Sequence, residues 1–207
     1  MRFVTAEEDP LVGYKLMTGL VVPRPIGWIG SWSAPAGQDR VANLAPYSFF
    51  QAVSGNPPTI IVSSGVRPGR KDTHANLEDR GEFTVNIVTE ALGPAMNTSA
   101  HELDPDESEF DLVGVTAVPA SDVDAPMVEE APAVFECRVT ERVEVGPDGG
   151  PPSNVVFFAR VDVIHVNDEV LDGTRIRHDV LRPIGRMAGN GYATIADTMY
   201  DLIRPDR

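Results

Sequence analysis

The chain has 207 residues, a length that suits one large domain and allows a substantial buried core. Its formal net charge of -14 argues against long-range attraction to nucleic acid or to an anionic membrane surface. No apolar run approaches the roughly 20 residues of a transmembrane helix, the acidic amino terminus is unlike a signal peptide, and the single cysteine, Cys137, cannot form an internal disulfide. We therefore expect a cytoplasmic protein with neither nucleic acid nor membrane as a partner.

Proline and glycine, eighteen of each, divide the chain into short segments, a pattern typical of a mainly β domain. Residues 25–33 alternate in hydrophobicity and predict a first strand. The Gly- and Pro-containing stretch 34–39 that follows predicts a hairpin loop. Further strands are predicted at residues 41–44, 48–53 and 59–63.

A short helix is predicted over residues 72–80, because an Asp-Thr pair opens it and Gly81 suits the position after its last turn. A strand is predicted over residues 83–88, where apolar and polar side chains alternate. A second helix is predicted over residues 89–100, with an early interruption by a Gly-Pro pair. The sequence thus adds a few short helices to the β pattern.

The second half of the chain begins with an acidic segment, residues 101–111, which holds six carboxylates. We interpret it as a solvated loop rather than a metal site, because the acids lack convincing ligand spacing. Long β-branched segments at residues 134–145 and 154–166 predict two more strands, and residues 192–203 have helical spacing that predicts a C-terminal helical tail. Without repeats or long linkers, all 207 residues are predicted to form one domain, with a core of about residues 10–195.

A cluster of donors precedes the predicted helix at residue 72. Arg70, Lys71, the hydroxyls of Ser63 and Ser64 and the amides around Thr73 suit a phosphate group, which favours charge-assisted donors and a helix amino terminus. The alternative is that the basic pair belongs to a solvated surface. Lys71 is one of only two lysines in this acidic chain, which favours a specific role for it.

A second group of residues suits a flat ring with a polar rim, such as a flavin. Pro46 lacks an N–H and is expected to interrupt strand pairing, which would free neighbouring backbone amides for the rim. Ser48 and Asn86 offer side-chain hydrogen bonds. Phe49 and Phe50 would extend the apolar surface, or alternatively belong to the core.

The order of motifs resembles the flavin reductase-like, FMN-binding split-barrel family, in its flavoredoxin-like branch. The likeness spans roughly residues 10 to 195. The segments that carry it are Arg24-Pro25-Ile26, Asn43-Leu44-Ala45-Pro46-Tyr47-Ser48-Phe49-Phe50, Asn56-Pro57-Pro58, Lys71-Asp72-Thr73, Gly81-Glu82-Phe83-Thr84-Val85-Asn86 and Arg186-Met187-Ala188-Gly189-Asn190-Gly191-Tyr192. The resemblance implies a mainly β split barrel with a few short helices, acting as a homodimer with FMN near the subunit interface.

The resemblance also implies roles for individual residues. The ring and ribityl chain of FMN would meet the stretch that contains Asn43, Ala45, Pro46, Tyr47, Ser48, Phe49 and Phe50. The phosphate would be held by Ser63, Ser64, Arg70, Lys71 and Thr73, with Asp72 beside them and Asn86 near the ring. Arg186 and Tyr192 would lie close to the flavin or the dimer contact.

The implied activity is that of an NAD(P)H-dependent flavin reductase, in which NADH or NADPH passes a hydride to the flavin. Such chemistry requires no general acid, and His101 is the one weak catalytic candidate, as an aid in placing the nicotinamide. Reduced flavin would then serve a partner protein, for which a monooxygenase is the candidate. Two alternatives remain open: a non-enzymatic flavoredoxin-like electron carrier, and an FMN oxidase of the pyridoxamine-phosphate oxidase-like type. The sequence holds no zinc or P-loop motif, so no metal is expected.

Overall fold

The computed structural model describes residues 2–66, 71–203 and 205. Antiparallel strands dominate the described chain, as the sequence predicts. In chain order the helices are α1 (Pro10–Leu20), α2 (Asp72–Arg80), α3 (Gly93–Thr98), α4 (Glu109–Val113) and α5 (His178–Leu181). The strands are β1 (Arg24–Pro25), β2 (Gly27–Trp32), β3 (Ala42–Tyr47), β4 (Phe50–Gly55), β5 (Pro58–Gly65), β6 (Glu82–Ile87), β7 (Ala117–Pro119), β8 (Pro126–Val128), β9 (Ala133–Val145), β10 (Asn154–Val166), β11 (Leu171–Asp172), β12 (Arg175–Ile176), β13 (Ile184–Arg186) and β14 (Tyr192–Thr194).

Seven strands form the main sheet in the order β3-β2-β6-β9-β10-β5-β4, which leaves β3 and β4 at its edges. The long strands β9 and β10 pair through most of their length. One buried cluster packs around Phe83 and Phe157, and a second cluster, which includes Trp28 and Phe110, lies under α3 and α4. A separate three-stranded sheet, β1-β13-β14, brings the two ends of the chain together. It therefore sets residues near 24 beside residues near 186.

Several predicted elements are confirmed. Helix α2 occupies the predicted residues, and Gly81 after it is left-handed, with φ 69°, the conformation that favours glycine at a helix end. The strands predicted before residue 90 all form, with bounds shifted by a few residues, and β9 and β10 match their predicted ranges within one residue. Cys137 is buried in the first cluster.

Two terminal segments differ from the sequence-based interpretation. Helix α1, for which no prediction was made, starts with Pro10 in its first turn, and the Asp9 side chain caps it by accepting a hydrogen bond from Leu11 N at 2.8 Å. The predicted C-terminal helical tail is wrong: residues 192–194 form β14, and a turn follows. Met199 and Leu202 are 58% and 82% exposed, so no packed apolar face is available to stabilise a helix there.

Glu136, on β9, is a fully buried carboxylate that fixes the loop between β7 and β8. It accepts hydrogen bonds from the amides of Ser121, Asp122 and Val123, and its Oε1 lies 2.6 Å from His165 Nε2. Burial raises the pKa of Glu136, but the hydrogen bonds from Ser121, His165 and Val123 outweigh it and lower the pKa to about 2. The carboxylate is therefore a structural anchor.

Within the part of the chain that the structure describes, no helix is both long and apolar enough to cross a bilayer.

Candidate functional site

Two cavities lie side by side next to strand β3. The first, here the α2 cavity, has a volume of about 370 Å³ and opens at the amino end of α2. The second, here the α1 cavity, has a volume of about 680 Å³ and is lined in part by α1. Pro46 and Ala100 line both, so the two cavities adjoin. Each is of the size that small-molecule sites have.

The amino end of α2 forms one wall of the α2 cavity through Lys71, Asp72 and Thr73. Lys71 precedes the helix, and its side chain does not cap it. The first backbone hydrogen bond of the helix runs from Ala75 N to Lys71 O, so the amides before residue 75 are not used within the helix. The Lys71 Nζ lies 5.7 Å from the centre of the Tyr47 ring. The amino-terminal amides of a helix and an ammonium group at one end of a cavity suit an anion such as phosphate.

A buried polar network also lines the α2 cavity, beside the amino end of α2. Glu109 is 5% exposed, and both its carboxylate oxygens accept from Asn43 Nδ2 at 3.1 Å, while Oε2 also accepts from Leu44 N at 2.9 Å. Thr73 Oγ1 donates to Asn43 Oδ1 at 2.7 Å, which joins α2 to β3. Burial raises the pKa of Glu109 despite these hydrogen bonds. The network fixes Asn43 and Thr73 at the cavity.

The interpretation of residues 101–111 as a solvated loop is wrong for its last part, where Glu109 is buried and begins a helix. Its carboxylate is buried because amides of β3 stabilise it, and Phe110 beside it packs in the second core cluster. Together they begin helix α4, which ends at Gly114 with φ 69°. That glycine is the sequence signal that would have found this helix. Among the described residues, no three His, Cys, Asp or Glu side chains are grouped so as to hold a metal ion.

Strand β3 runs along both cavities as an edge strand. The expectation that Pro46 interrupts the pairing is wrong, because β3 pairs with β2 in unbroken register and Pro46 lies opposite Trp28. Val41 O accepts a hydrogen bond from Ser33 N of the segment after β2. The backbone N–H and C=O groups of odd-numbered β3 residues therefore point toward β2, and those of even-numbered residues point away from the sheet edge. Pro46 thus stands where its missing N–H costs no strand pairing, and Ala45 and Tyr47 line the α2 cavity.

The α1 cavity contains Arg24, Ser48, Arg186 and Tyr192, which come from distant parts of the chain. Arg24 is 8% exposed, and its Nε lies 3.5 Å from Ser48 Oγ, the long end of hydrogen-bond range. Arg186 and Tyr192 face each other across the β13-β14 pair, with the guanidinium 4.7 Å from the ring centre and a hydrogen bond to the Tyr192 hydroxyl. The Tyr192 hydroxyl donates to Asn97 Oδ1 at 3.0 Å.

The structure brings together many, but not all, of the predicted cofactor residues. The α2 cavity is lined by seven of them, namely Asn43, Ala45, Pro46, Tyr47, Lys71, Asp72 and Thr73. The α1 cavity adds Ser48, Arg186 and Tyr192. His101, the weak catalytic candidate, lines the α2 cavity close to the junction with Ala100.

Some other predicted residues that the structure describes line neither cavity. Ser63 and Ser64 are on β5; Ser63 Oγ accepts from Asn154 Nδ2 at 3.1 Å, and the buried Ser64 hydroxyl has no hydrogen-bond partner among the described residues. Phe49 lines neither cavity, and Phe50 packs in the first core cluster. Arg70 lies outside the described residues.

Asn86 is also not a cavity residue. It is fully buried, donates from Nδ2 to Trp28 O at 2.9 Å, and accepts at Oδ1 from Val128 N at 2.8 Å. These bonds use both ends of its amide to join β6 with β2 and β8. Its hydrogen-bonding groups are therefore engaged within the fold, and its assignment to the cofactor site stays a prediction.

Fold and cavities define a class: a mainly β protein with two adjoining cavities beside an edge strand and a helix amino terminus. The model of the flavin reductase like domain matches residues 18–181, and the chain belongs to that family. It is 37% identical over 195 residues to an uncharacterized protein of Aquifex aeolicus, covering 93% of this chain and 94% of that protein. An uncharacterized protein of Halalkalibacterium halodurans is 37% identical over 194 residues, with 93% and 90% covered.

Solved structures agree with this membership. The chain is similar to nitrilotriacetate monooxygenase component B from Bacillus cereus, with 34% identity, 98% of each chain covered and a TM-score of 0.90. It is similar to 2-nitrobenzoate 2-nitroreductase from Pseudomonas fluorescens, with 26% identity, 99% and 96% covered and a TM-score of 0.84. A Shewanella frigidimarina protein with a split barrel domain shares the fold at 20% identity, with 100% and 99% covered and a TM-score of 0.79. The predicted split-barrel fold is confirmed.

Proposed function

We propose that this protein binds FMN along β3 and acts as an oxidoreductase that takes hydride from NADH or NADPH. The observation that carries the proposal is the meeting of two features in the α2 cavity: the uncapped amino end of α2 with Lys71, and the open edge of β3. A phosphate and a flat ring need just these two surfaces, one rich in donors and one extended. Membership of a flavin reductase-like family supports it.

Different residues would bind the phosphate and the ring of FMN. Lys71, Thr73 and the first amides of α2 would bind the phosphate, with Arg70 of the preceding segment as a further donor. Ala45, Pro46 and the other β3 residues would support the ring. When bound, FMN supplies the capacity to accept a hydride and pass electrons on. The protein needs only to orient it, exclude water and place the donor, for which His101 stands at the cavity wall.

Ser48 is the residue that we expect to tune the cofactor. Its hydroxyl lines the α1 cavity and lies at the long end of hydrogen-bond range from Arg24 Nε, which would act as the donor. The hydroxyl proton is thereby left to point into the cavity. A donor there, backed by a buried positive charge, favours negative charge on a reduced flavin.

We also propose that reduced flavin is passed to a partner monooxygenase. The support is the likeness to a monooxygenase component B, at 34% identity across 98% of both chains. A component B implies a second component, which supports the proposal that this chain passes reducing equivalents to another protein. A cytoplasmic location would supply the reduced nicotinamide and keep the thiol of Cys137 reduced.

The test begins with the absorbance spectrum of the purified protein. We expect flavin bands, and rapid bleaching when NADH or NADPH is added without oxygen. Absence of flavin after incubation with FMN would contradict the proposal. Bleaching by a protein donor but not by nicotinamides would favour the flavoredoxin-like carrier, and reduction by an organic amine alone would favour the oxidase.

We propose a homodimer as the working form. Helix α1 supports this, because Leu11, Met17 and Leu20 are 54%, 49% and 81% exposed on a protein of this size. A second copy packed against α1 would cover them and help to close the α1 cavity. Sedimentation with FMN bound should give a dimer at micromolar concentration, and a monomer there would refute it.

A further inference from the structure

The α1 cavity carries more positive charge than the flavin proposal uses, since that proposal draws only on Arg24 beside Ser48. Its lining includes Lys15, Arg24 and Arg186, and it includes no Asp or Glu among the described residues. The whole chain carries a formal net charge of -14. Three cations around one cavity in such an acidic protein call for a ligand of opposite charge. We propose that the α1 cavity binds a small organic anion, a carboxylate or phosphate on an apolar body, beside the flavin.

Arg24 provides the fixed part of this charge. Only 8% exposed, its guanidinium donates to three backbone carbonyls, those of Thr18, Val21 and Met187. These bonds hold the group in place but leave its charge without a counter-ion, since no carboxylate pairs with it in the described part of the chain. A buried, uncompensated charge is costly, and an anionic ligand in the cavity would remove that cost.

Arg186 is positioned in the same way. Its guanidinium lies over the Tyr192 ring and donates to the Tyr192 hydroxyl and to Gly189 O, again without an ion pair among the described residues. Stacking and two hydrogen bonds restrict its orientation, so that the remaining N–H groups can meet a carboxylate or phosphate in a planar, paired arrangement. Lys15, the other lysine of the chain besides Lys71, adds an exposed ammonium group from α1.

The other walls favour an apolar body for the anion. Ile26, Met96 and the Tyr192 ring line the same cavity. The adjoining α2 cavity is mixed in charge, with Asp72, Glu102 and Glu109 in its lining beside Lys71. Among the described residues, a lining with cations and no carboxylate therefore distinguishes the α1 cavity from the α2 cavity. Because the two cavities share Pro46 and Ala100, the anion would lie next to a ligand bound along β3.

This inference rests on the proposed function for its position beside the flavin, but binding can be measured without flavin chemistry. Isothermal titration calorimetry with benzoate and with its neutral isostere benzamide is carried out on FMN-loaded and FMN-free protein. We expect the FMN-loaded protein to bind benzoate about 10- to 100-fold more tightly than benzamide, the usual effect of a charged hydrogen bond. Added salt should reduce the difference.

Two variants and a matched control locate the site. Arg186→Gln should abolish most of the preference for benzoate, and Lys15→Gln, at an exposed position, should reduce it roughly 3-fold, in the range of surface charge pairs. Arg182→Gln removes the same charge from a nearby arginine that pairs with Glu90 and Asp197 outside the cavity, and it should leave the preference unchanged. Circular dichroism melting verifies that each variant is folded.

The outcomes separate the two proposals. Equal binding of benzoate and benzamide by FMN-loaded protein overturns the anion pocket while FMN binding stands. Benzoate binding that disappears when FMN is added also overturns it, because the cations would then serve the cofactor phosphate. A protein that takes up no FMN but still prefers benzoate supports the anion pocket and refutes the proposed function.

Discussion

Replacement of Glu109 by alanine tests the buried network beside the α2 cavity. The side chain satisfies two buried donors, Asn43 Nδ2 and Leu44 N. Each buried donor left without an acceptor costs about 1–3 kcal/mol, so Glu109→Ala should lower the free energy of unfolding by roughly 2–6 kcal/mol. Part of this is offset because the variant no longer buries a carboxylate. Urea unfolding followed by circular dichroism at pH 5 measures the difference.

The same residue predicts a pH dependence with a definite sign. Burial raises the pKa of Glu109 in the folded protein above the ordinary value of 4.5. Between 4.5 and the raised value, the folded state keeps a proton that the unfolded state has lost, so the contribution of Glu109 to stability is greatest at low pH and falls as pH rises. The destabilisation by Glu109→Ala should therefore be larger at pH 5 than at pH 8.

Glu109→Gln is the matched control, because glutamine keeps one acceptor oxygen for Leu44 and does not titrate. All other groups titrate alike in the wild type and in this variant, so their difference in stability isolates Glu109. We expect that difference to change in favour of the variant between pH 5 and pH 8. A cost for Glu109→Ala below about 1 kcal/mol at pH 5, or one that grows with pH, would refute this account of the network.

Four further predictions concern the cofactor and the core. Lys71→Ala should weaken FMN binding about 10- to 100-fold, and an unchanged Kd in a fluorescence titration would remove Lys71 from the phosphate site. Ser48→Ala should lower the FMN reduction potential without unfolding the protein; equal potentials in a redox titration of fully loaded samples would exclude the tuning role. Gly30→Ala would place a Cβ 2.2 Å from Pro126 O, and such overpacking, about 1–3 kcal/mol, should lower Tm by roughly 2–12 °C; a Tm equal to wild type would contradict the close approach. Glu136 stabilises the fold above pH 4.5, and this contribution is lost as pH falls toward about 2, so Glu136→Gln should lose stability at pH 7 but little at pH 2, as acid titrations of unfolding would reveal.

Local signals explain what the sequence predicted correctly. The Asp-Thr start and Gly81 bound helix α2, and both are properties of neighbouring residues. The long strands β9 and β10 follow from β-branched runs. The motifs along β3 and at residues 71–73 were assigned to one site by resemblance, and the structure places them around adjoining cavities.

Residues whose roles depend on distant partners escaped prediction. Glu109 looked like one of six solvated acids, but the backbone N–H of Leu44, 65 positions earlier, donates a hydrogen bond that holds its carboxylate in the interior. The hydrogen bonds that the Asn86 amide makes with Trp28 and Val128 likewise have no local signal. Arg24 and Arg186 line one cavity because they lie opposite each other in the register of β1 with β13, and local sequence patterns do not predict the register of strands so distant in the chain.

The edge position of β3 explains why one half of this strand is covered by protein and the other half borders the cavities. An edge strand presents outward backbone groups that must be satisfied or covered. Side chains at the start of α4 form hydrogen bonds with the outward backbone groups in the first half of β3: Ser108 Oγ donates to Ala42 O at 2.6 Å, and Glu109 accepts from Leu44 N. The next outward position is Pro46, which has no N–H to satisfy, and from there the edge borders both cavities. The acidic segment thus closes the half of the edge that needs a protein partner, and the proline leaves the other half open to a ligand without the cost of a buried, unpaired amide.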